Sequence, residues 1–283
     1  MRPKQILTIQ DISGYGKCAA TIALPVLSAA GHSVSLLPTA VLSTHTGGLG
    51  NNTCLDLTGQ IAPITAHWAS LGLTFDAIYT GYAASSDQLA QIKNAIERLR
   101  MPHTRLLVDP AMADQGRLYR SCSPDLVNGM RGLCREADWI TPNITEAFLL
   151  LGEPYRDGPY DQAFLQAFLR RLGALGPKWV VLTGVESNGS VFAYGYCGEQ
   201  DFFCRAETPL VPGHYHGTGD LFSSALLAAL LSCQSFEDAV VIAAKMTYRA
   251  VLRTNRENWD PRHGLLFEPE LPVLWQSLAG KTK

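Results

Sequence analysis

Short runs of β-branched and aliphatic residues alternate along this chain with longer stretches whose apolar positions recur at helical spacing. The runs 5–10, 34–37, 76–80, 105–109, 138–141 and 178–183 predict strands, and 17–30, 52–71, 86–100, 123–135, 144–151 and 160–173 predict helices. This punctuation predicts an α/β fold: a mostly parallel central sheet, helices on both faces, and a ligand site at the carboxyl ends of the strands. Further on, Val191–Tyr194 and Gln200–Cys204, separated by Gly195 and Gly198, predict a small antiparallel hairpin within 189–207. Residues 221–231 are apolar on every face and predict a helix buried in the centre of the molecule, followed by another helix at 236–253. With no internal repeat, low-complexity tract or linker, residues 1–283 are expected to form one domain.

Composition narrows the class of partner. The 283 residues are 47% hydrophobic and carry a net charge of −2. Lys and Arg form no cluster, so the footprint of a nucleic-acid binder is missing and a small-molecule partner is expected. The chain passes from Met1-Arg2-Pro3-Lys4 straight into the first strand-like run, and no stretch reaches membrane-spanning length. A cytoplasmic location is therefore expected. The seven cysteines are scattered and never paired as Cys-x-x-Cys, which predicts reduced, structural thiols. In that setting the acceptor patterns at Asn51, Asn143 and Asn188 carry no glycosylation signal.

Chemistry concentrates in His216-Gly217-Thr218-Gly219-Asp220, directly before the all-apolar helix. Two glycines around a threonine let the chain turn and expose consecutive N–H groups, and the helix adds its positive N-terminal dipole. A carboxylate in such an anion hole points to phosphoryl transfer to an alcohol, with Asp220 accepting the hydroxyl proton. The conservative reading is a helix N-cap.

Asp109-Pro110 ends one strand, and Asn143-Ile144-Thr145-Glu146 follows another. Both place carboxylates at the carboxyl edge, where Asp109 and Glu146 could hold magnesium directly or through water. Asn143 and Glu146 also have capping-box spacing, and the two roles can coexist. The polar loop Ser43-Thr44-His45-Thr46-Gly47-Gly48 and the strand end Thr80-Gly81-Tyr82 could line a pocket for a planar polar ligand. His214 and His216 flank Tyr215 near the glycines and are candidate phosphate or substrate contacts, but without a third ligand they do not make a metal site. Gly14-Tyr15-Gly16-Lys17-Cys18-Ala19 fits Gly-x-Gly-x-x-Ala, yet no acidic residue lies between Asp11 and Asp56 to hold a ribose. A Walker loop fails too, with Asp11 in place of its first glycine and Cys18 in place of its Ser or Thr.

Taken in order, Ile9-Gln10, Thr44-His45-Thr46, Thr80-Gly81-Tyr82, Asp109-Pro110-Ala111-Met112, Thr141-Pro142-Asn143-Ile144-Thr145-Glu146 and Gly217-Thr218-Gly219-Asp220 resemble the vitamin B6 kinases of the ribokinase-like superfamily over nearly the whole chain. The resemblance implies a ribokinase-like fold without the β-lid of the sugar kinases, use of ATP and Mg2+, often with K+, and a homodimer. It implies Asp220 as catalytic base for the 5′-hydroxymethyl group of a B6 vitamer (pyridoxal, pyridoxine or pyridoxamine), and Gly217, Thr218 and Gly219 as the hole for the γ-phosphate. It further implies that Asp109, Asn143 and Glu146 organise Mg–ATP, that Thr141 and Thr183 lie near the nucleotide, and that Thr46, with Gly47 in its loop, and Tyr82 surround the pyridine ring.

Two positions depart from the family pattern. Asp11 stands where a pyridine-binding serine usually follows Ile-Gln, with Ser13 the nearest serine, so either residue could meet the ring. Thr183 stands where some relatives carry a basic residue beside the phosphates. The rival readings are a hydroxymethylpyrimidine kinase, which shares the Gly-Thr-Gly end but has Cys rather than Asp after it, a ribokinase-type sugar kinase, and a non-catalytic binding protein.

Overall fold

The computed structural model describes residues 2–120, 122–232 and 234–279. In chain order its elements are β1 (Gln5–Ser13), α1 (Ala20–Ala29), β2 (Ser33–Leu42), β3 (Cys54–Asp56), α2 (Thr58–Ser70), β4 (Ala77–Thr80), α3 (Ser86–Leu99), β5 (Arg105–Val108), β6 (Ala113–Asp114), β7 (Arg117–Leu118), α4 (Pro124–Arg135), β8 (Trp139–Ile140), α5 (Ile144–Leu151), α6 (Gln162–Gly173), β9 (Trp179–Ser187), β10 (Ser190–Cys197), β11 (Phe202–Pro209), α7 (Thr218–Leu231), α8 (Phe236–Arg256) and α9 (Leu271–Ala279).

A nine-stranded sheet in the order β11-β10-β9-β8-β5-β4-β1-β2-β3 runs through the molecule. From β9 to β2 all neighbours pair parallel, while β3 on one edge and the β10–β11 hairpin on the other are antiparallel. Ile, Leu and Val fill the central strands because both faces are covered. Leu89, Ile92, Leu126, Met130, Phe148, Phe168 and their neighbours on α3 to α6 pack on one face. Val26, Leu27, Leu221, Leu226, Val240 and Leu274 on α1, α7, α8 and α9 pack on the other. From β1 the chain turns first to β2 on one side and then to β4, β5, β8 and β9 on the other, so the order reverses between β1 and β4. Ligands of open parallel sheets bind in the crevice such a reversal opens.

The hairpin and the α/β alternation follow the sequence pattern, with several shifts of boundary. Residues 52–57 are not helical: Cys54, Leu55 and Asp56 pair with Leu42, Val41 and Ala40, and the helix starts only at Thr58, whose N–H the Asp56 carboxylate accepts at 2.8 Å. Lys17, Cys18 and Ala19 likewise lie outside the helix expected at 17–30, because Ala19 holds φ 47° and ψ −125°. β1 and β2 run longer than expected, to Ser13 and Leu42, with a register shift between Gln10 and Ile12 opposite Pro38. The central helix begins at Thr218, a turn before residue 221, and the strand-like run at 138–141 pairs only through Trp139 and Ile140. The β6–β7 hairpin and α9 were not foreshadowed by the pattern.

Candidate active site

The centre of the site is the N-terminus of α7. Gly217 caps it in the left-handed region at φ 83°. A Cβ there would lie 2.6 Å from Ile22 Cδ1 and 2.7 Å from the Lys17 carbonyl, so the position admits glycine alone. The turn between β1 and α1 is thereby pressed against the helix end, and Ala19 is part of that turn. Its positive φ costs of order 1–3 kcal/mol for a residue with a side chain, a strain usually met at functional sites. The N–H groups of the first turn lack intrahelical acceptors, as at any helix start. α7 itself is buried along almost its whole length, as its apolar composition predicts.

Asp220, half-buried in that first turn, is pushed up to about 6 by burial; the Ala19 N–H opposes the shift and the charge of Asp11 adds to it. Asp11, at the register shift of β1, is raised to about 6 by burial, with its own backbone N–H and Ser13 opposing. Asp109 leaves the end of β5 on the side of α7, its Oδ2 only 3.8 Å from where a Cβ on Gly219 would stand. Burial and the nearby Asp220 raise it to about 7, while Ser223 opposes. Ser223 Oγ donates to Asp109 Oδ2 at 3.0 Å, which leaves Thr141 Oγ1, 2.8 Å away, to donate to Ser223. A buried chain from β8 through α7 thus ends on the Asp109 carboxylate.

Asn143 and Glu146 form the complete capping box of α5. Glu146 accepts from Asn143 N at 2.9 Å and Met112 N at 3.1 Å, and Asn143 Nδ2 donates to the Ala113 carbonyl at 2.8 Å. Burial and the charge of Asp109 push Glu146 well above the usual carboxylate range despite those N–H groups. One of its oxygens braces the β5–β6 connection at Met112 and the other closes the capping box at Asn143, so the conservative reading of this pair holds. Thr183 N donates to the Pro142 carbonyl at 2.9 Å, which sets Thr183 beside Asn143 at the same edge.

The loop bearing Thr46 and Gly47 is drawn to the anion hole by histidines. His45 Nδ1 accepts from Gly47 N at 3.0 Å while Nε2 donates to the Arg262 carbonyl at 2.6 Å, an arrangement that fixes a neutral ring. His45 and His216 rings lie 4.8 Å apart, and His214 meets His216 edge-on at 4.9 Å. The His216 ring occupies the space a side chain at 47 would need. Burial, with His45 and His214 beside it, lowers His216 to about 4, so it is uncharged at neutral pH and serves as packing rather than as a cation for phosphate. Thr46 is exposed at the loop tip, and Tyr82 follows β4 half-buried at the same edge.

The structure therefore gathers Asp11, Ser13, Asp109, Thr141, Asn143, Glu146, Thr183, Gly217, Thr218, Gly219 and Asp220 at the carboxyl edge, with Thr46, Gly47 and Tyr82 on its rim. Sequence reasoning missed Ser223, although a serine three residues after Asp220 in an otherwise apolar helix was a signal. It also missed Cys18, whose Sγ lies 3.1 Å from Ser13 Oγ. A surface groove of about 320 Å³ lined by Leu165, Leu169, Tyr194 and Arg205 lies between α6 and the β10–β11 hairpin and includes no carboxylate.

A sheet-edge cleft with a glycine-opened helix end facing unpaired carboxylates defines a ribokinase-like phosphotransferase acting on an alcohol. The sequence model of the phosphomethylpyrimidine kinase family matches residues 29–265, and the chain belongs to that family. Among curated proteins, the chain is 31% identical over 264 residues to a pyridoxine/pyridoxal/pyridoxamine kinase of Bordetella avium, covering 88% of this chain and 85% of that one. It is 29% identical over 267 residues to a pyridoxal kinase of Deinococcus radiodurans, covering 90% and 88%. A crystal structure of a Bacteroides thetaiotaomicron protein, described as a candidate phosphomethylpyrimidine kinase and crystallised with pyridoxal, superposes with a TM-score of 0.89 at 36% identity over 96% of each chain. Pyridoxal kinase from Lactobacillus plantarum superposes with a TM-score of 0.88 at 32% identity, again over 96% of each.

Proposed function

We propose that this protein transfers the γ-phosphoryl group of ATP to the 5′-hydroxymethyl oxygen of a B6 vitamer. The observation that carries the reading is Asp220 in the first turn of α7, in a fold shared at 36% identity with a protein that binds pyridoxal. Raised only to about 6, Asp220 is mostly ionised at neutral pH and still far too weak to strip an alcohol beforehand. It orients the hydroxyl and takes its proton as the O–P bond forms and the bond from the γ-phosphorus to the bridging oxygen breaks, releasing ADP. The N–H groups of Gly217 to Asp220 receive the equatorial oxygens as charge develops on them.

Magnesium fits the donor set in a limited way. Among the described residues no three His, Cys, Asp or Glu side chains converge to hold a metal. Asp109 keeps one oxygen outside the Ser223 bond, and Glu146 has both engaged. Such a site suits an ion that takes most of its ligands from phosphates and water, with Asp109 as the protein ligand and Glu146 acting through water. When bound, the ion neutralises charge on the transferring phosphates. Thr141, Asn143 and Thr183 would line the nucleotide side, and Asp11, Ser13, Thr46, Gly47 and Tyr82 the acceptor side. An accompanying K+, a cytoplasmic location and a homodimer complete the proposal; among the described residues no helix is long and apolar enough to cross a membrane.

Incubating the protein with Mg–ATP and, separately, pyridoxal, pyridoxine, pyridoxamine and hydroxymethylpyrimidine tests the reading by product mass. Phosphorylation of a vitamer well above the pyrimidine is the expected result. A pyrimidine-only product would overturn it in favour of the reaction the family model names, against which Asp220 speaks.

A further inference from the structure

The buried carboxylates among the described residues are Asp11, Asp109, Asp138, Glu146 and Glu270, and all but Asp11 have firm support. Asp138 is held by Arg100, Arg105 and Lys178, and Glu270 by Arg249 and Arg253. Glu146 accepts two backbone N–H groups, and Asp109 accepts the Ser223 hydroxyl at 3.0 Å and faces the proposed magnesium. Asp11 is 6% exposed, yet its side chain is met only by its own backbone N–H and by Ser13 Oγ at a long 3.5 Å, a hydroxyl that also lies 3.1 Å from Cys18 Sγ. Among the described residues no Lys, Arg or His makes an ion pair with it. The ionisable groups whose titration feels its charge are Cys18, Cys54 and Asp220, none of them cationic. Leaving a buried carboxylate without a partner is costly, and such a group persists where a ligand supplies the missing charge.

We infer that Asp11 reads the aminomethyl ammonium of pyridoxamine, and so sets which B6 vitamer this site prefers. The inference rests on the proposed function. In the loaded site the acceptor hydroxyl answers Asp220 and the metal answers Asp109, which leaves Asp11 as the uncompensated charge on the acceptor side. Burial raises it to about 6, so it is still chiefly a carboxylate at neutral pH and accepts rather than donates. The ring nitrogen is common to all the vitamers and cannot tell them apart, whereas pyridoxamine alone carries an aminomethyl ammonium. A serine in this place would satisfy a neutral ring nitrogen equally well; a carboxylate is an advantage only toward positive charge.

The test is steady-state kinetics of the wild type, Asp11→Asn, Asp11→Ser and Asp11→Glu with Mg–ATP and each vitamer, reading both KM values. Asp11→Asn and Asp11→Ser are expected to raise KM for pyridoxamine by about 10- to 100-fold with KM for ATP within about twofold, and Asp11→Glu to recover part of the loss. A rise confined to pyridoxamine assigns the contact to its ammonium; an equal rise for all vitamers would overturn the inference, because a contact to the shared ring nitrogen sets no preference among them. KM values within about threefold of wild type for every vitamer, or a parallel rise in KM for ATP, would overturn the inference while leaving the kinase reading intact. A wild type that phosphorylates no vitamer fails earlier, before any variant is compared, and takes the functional reading with it.

Discussion

The two ends of β5 hold aspartates in opposite circumstances. At the amino end, the Asp138 carboxylate accepts the Leu106 N–H at 2.9 Å and pairs with Arg100, Arg105 and Lys178 at 2.9 to 3.0 Å. Burial pushes its pKa up, but the Leu106 N–H, Lys178 and Arg105 outweigh it and hold the group below the ordinary value. At the carboxyl end, Asp109 has a single hydroxyl donor and the like charge of Asp220 nearby, and it moves the other way. Both are aspartates with little solvent exposure, but Asp109 is the more deeply desolvated and has one hydroxyl against burial, where Asp138 has an N–H and three cations. The amino end spends its charges on holding the fold, while the carboxyl end leaves them open for ligands, as strain and unpaired charge at functional sites generally do.

Exchanging carboxylates for amides should break the comparison at both ends, with the largest effect at Asp220. Asp220→Asn is expected to lower turnover by about 10²–10⁴-fold with ATP binding retained, measured by steady-state kinetics and nucleotide titration. Its melting temperature should hold or rise. The folded-state pKa of about 6 lies above the 3.8 of the free side chain, so the ionised form weighs against folding at neutral pH and its removal relieves that cost. Asp138→Asn should do the reverse, losing about 2–3 kcal/mol in chemical denaturation while kcat stays within about twofold.

Ser223→Ala sharpens the picture at the carboxyl end. Losing the donor to Asp109 is expected to lower kcat about tenfold at neutral pH, with part of the loss recovered as pH rises, because Asp109 would then titrate still higher. The smallest effect is a separation of two pH profiles. Asp11 and Asp220 near 6 and Asp109 near 7 favour folding below the free value of 3.8 and lose that contribution as pH climbs through 6 to 7. Asp138, held below 3.8, contributes stability that is present above the free value and is lost only as pH falls beneath it. Activity should therefore decline on acidification through about pH 6 while the melting temperature does not, and a melt that fell together with activity would refute the contrast.

Much of this arrangement was legible beforehand because it rests on local patterns. Parallel strands buried on both faces read as apolar runs, the all-apolar composition of α7 announced its burial, and Asp109 and Asp220 follow strand and turn signals that place them at one edge. The illegible parts depend on partners distant in sequence. Cys54–Asp56 is too short to show a period and becomes a strand only through β2. Ala19 has nothing in its sequence context to announce a positive φ; it lies in the turn whose Lys17 carbonyl and Ile22 side chain close on Gly217. His216 looked like a phosphate contact because its neighbour is an anion hole; its stacking on His45 depends on a loop far away in the chain. Asn143 and Glu146 satisfied two readings at once, and the contacts show the capping role complete.

The reversal of strand order between β1 and β4 has a bearing on how such a protein diverges. Under the proposed assignment, Asp11, Ser13, Thr46 and Gly47 stand on β1, β2 and their loops, whereas Asp109, Thr141, Asn143, Glu146 and Thr183 stand on the far side of the split. Apart from Tyr82, which follows β4 on the far side and joins the acceptor group, each half of the sheet answers to a different reactant. Under that assignment the vocabulary of acceptors in the β1–β2 half can be revised while the grammar of phosphate handling stays as inherited.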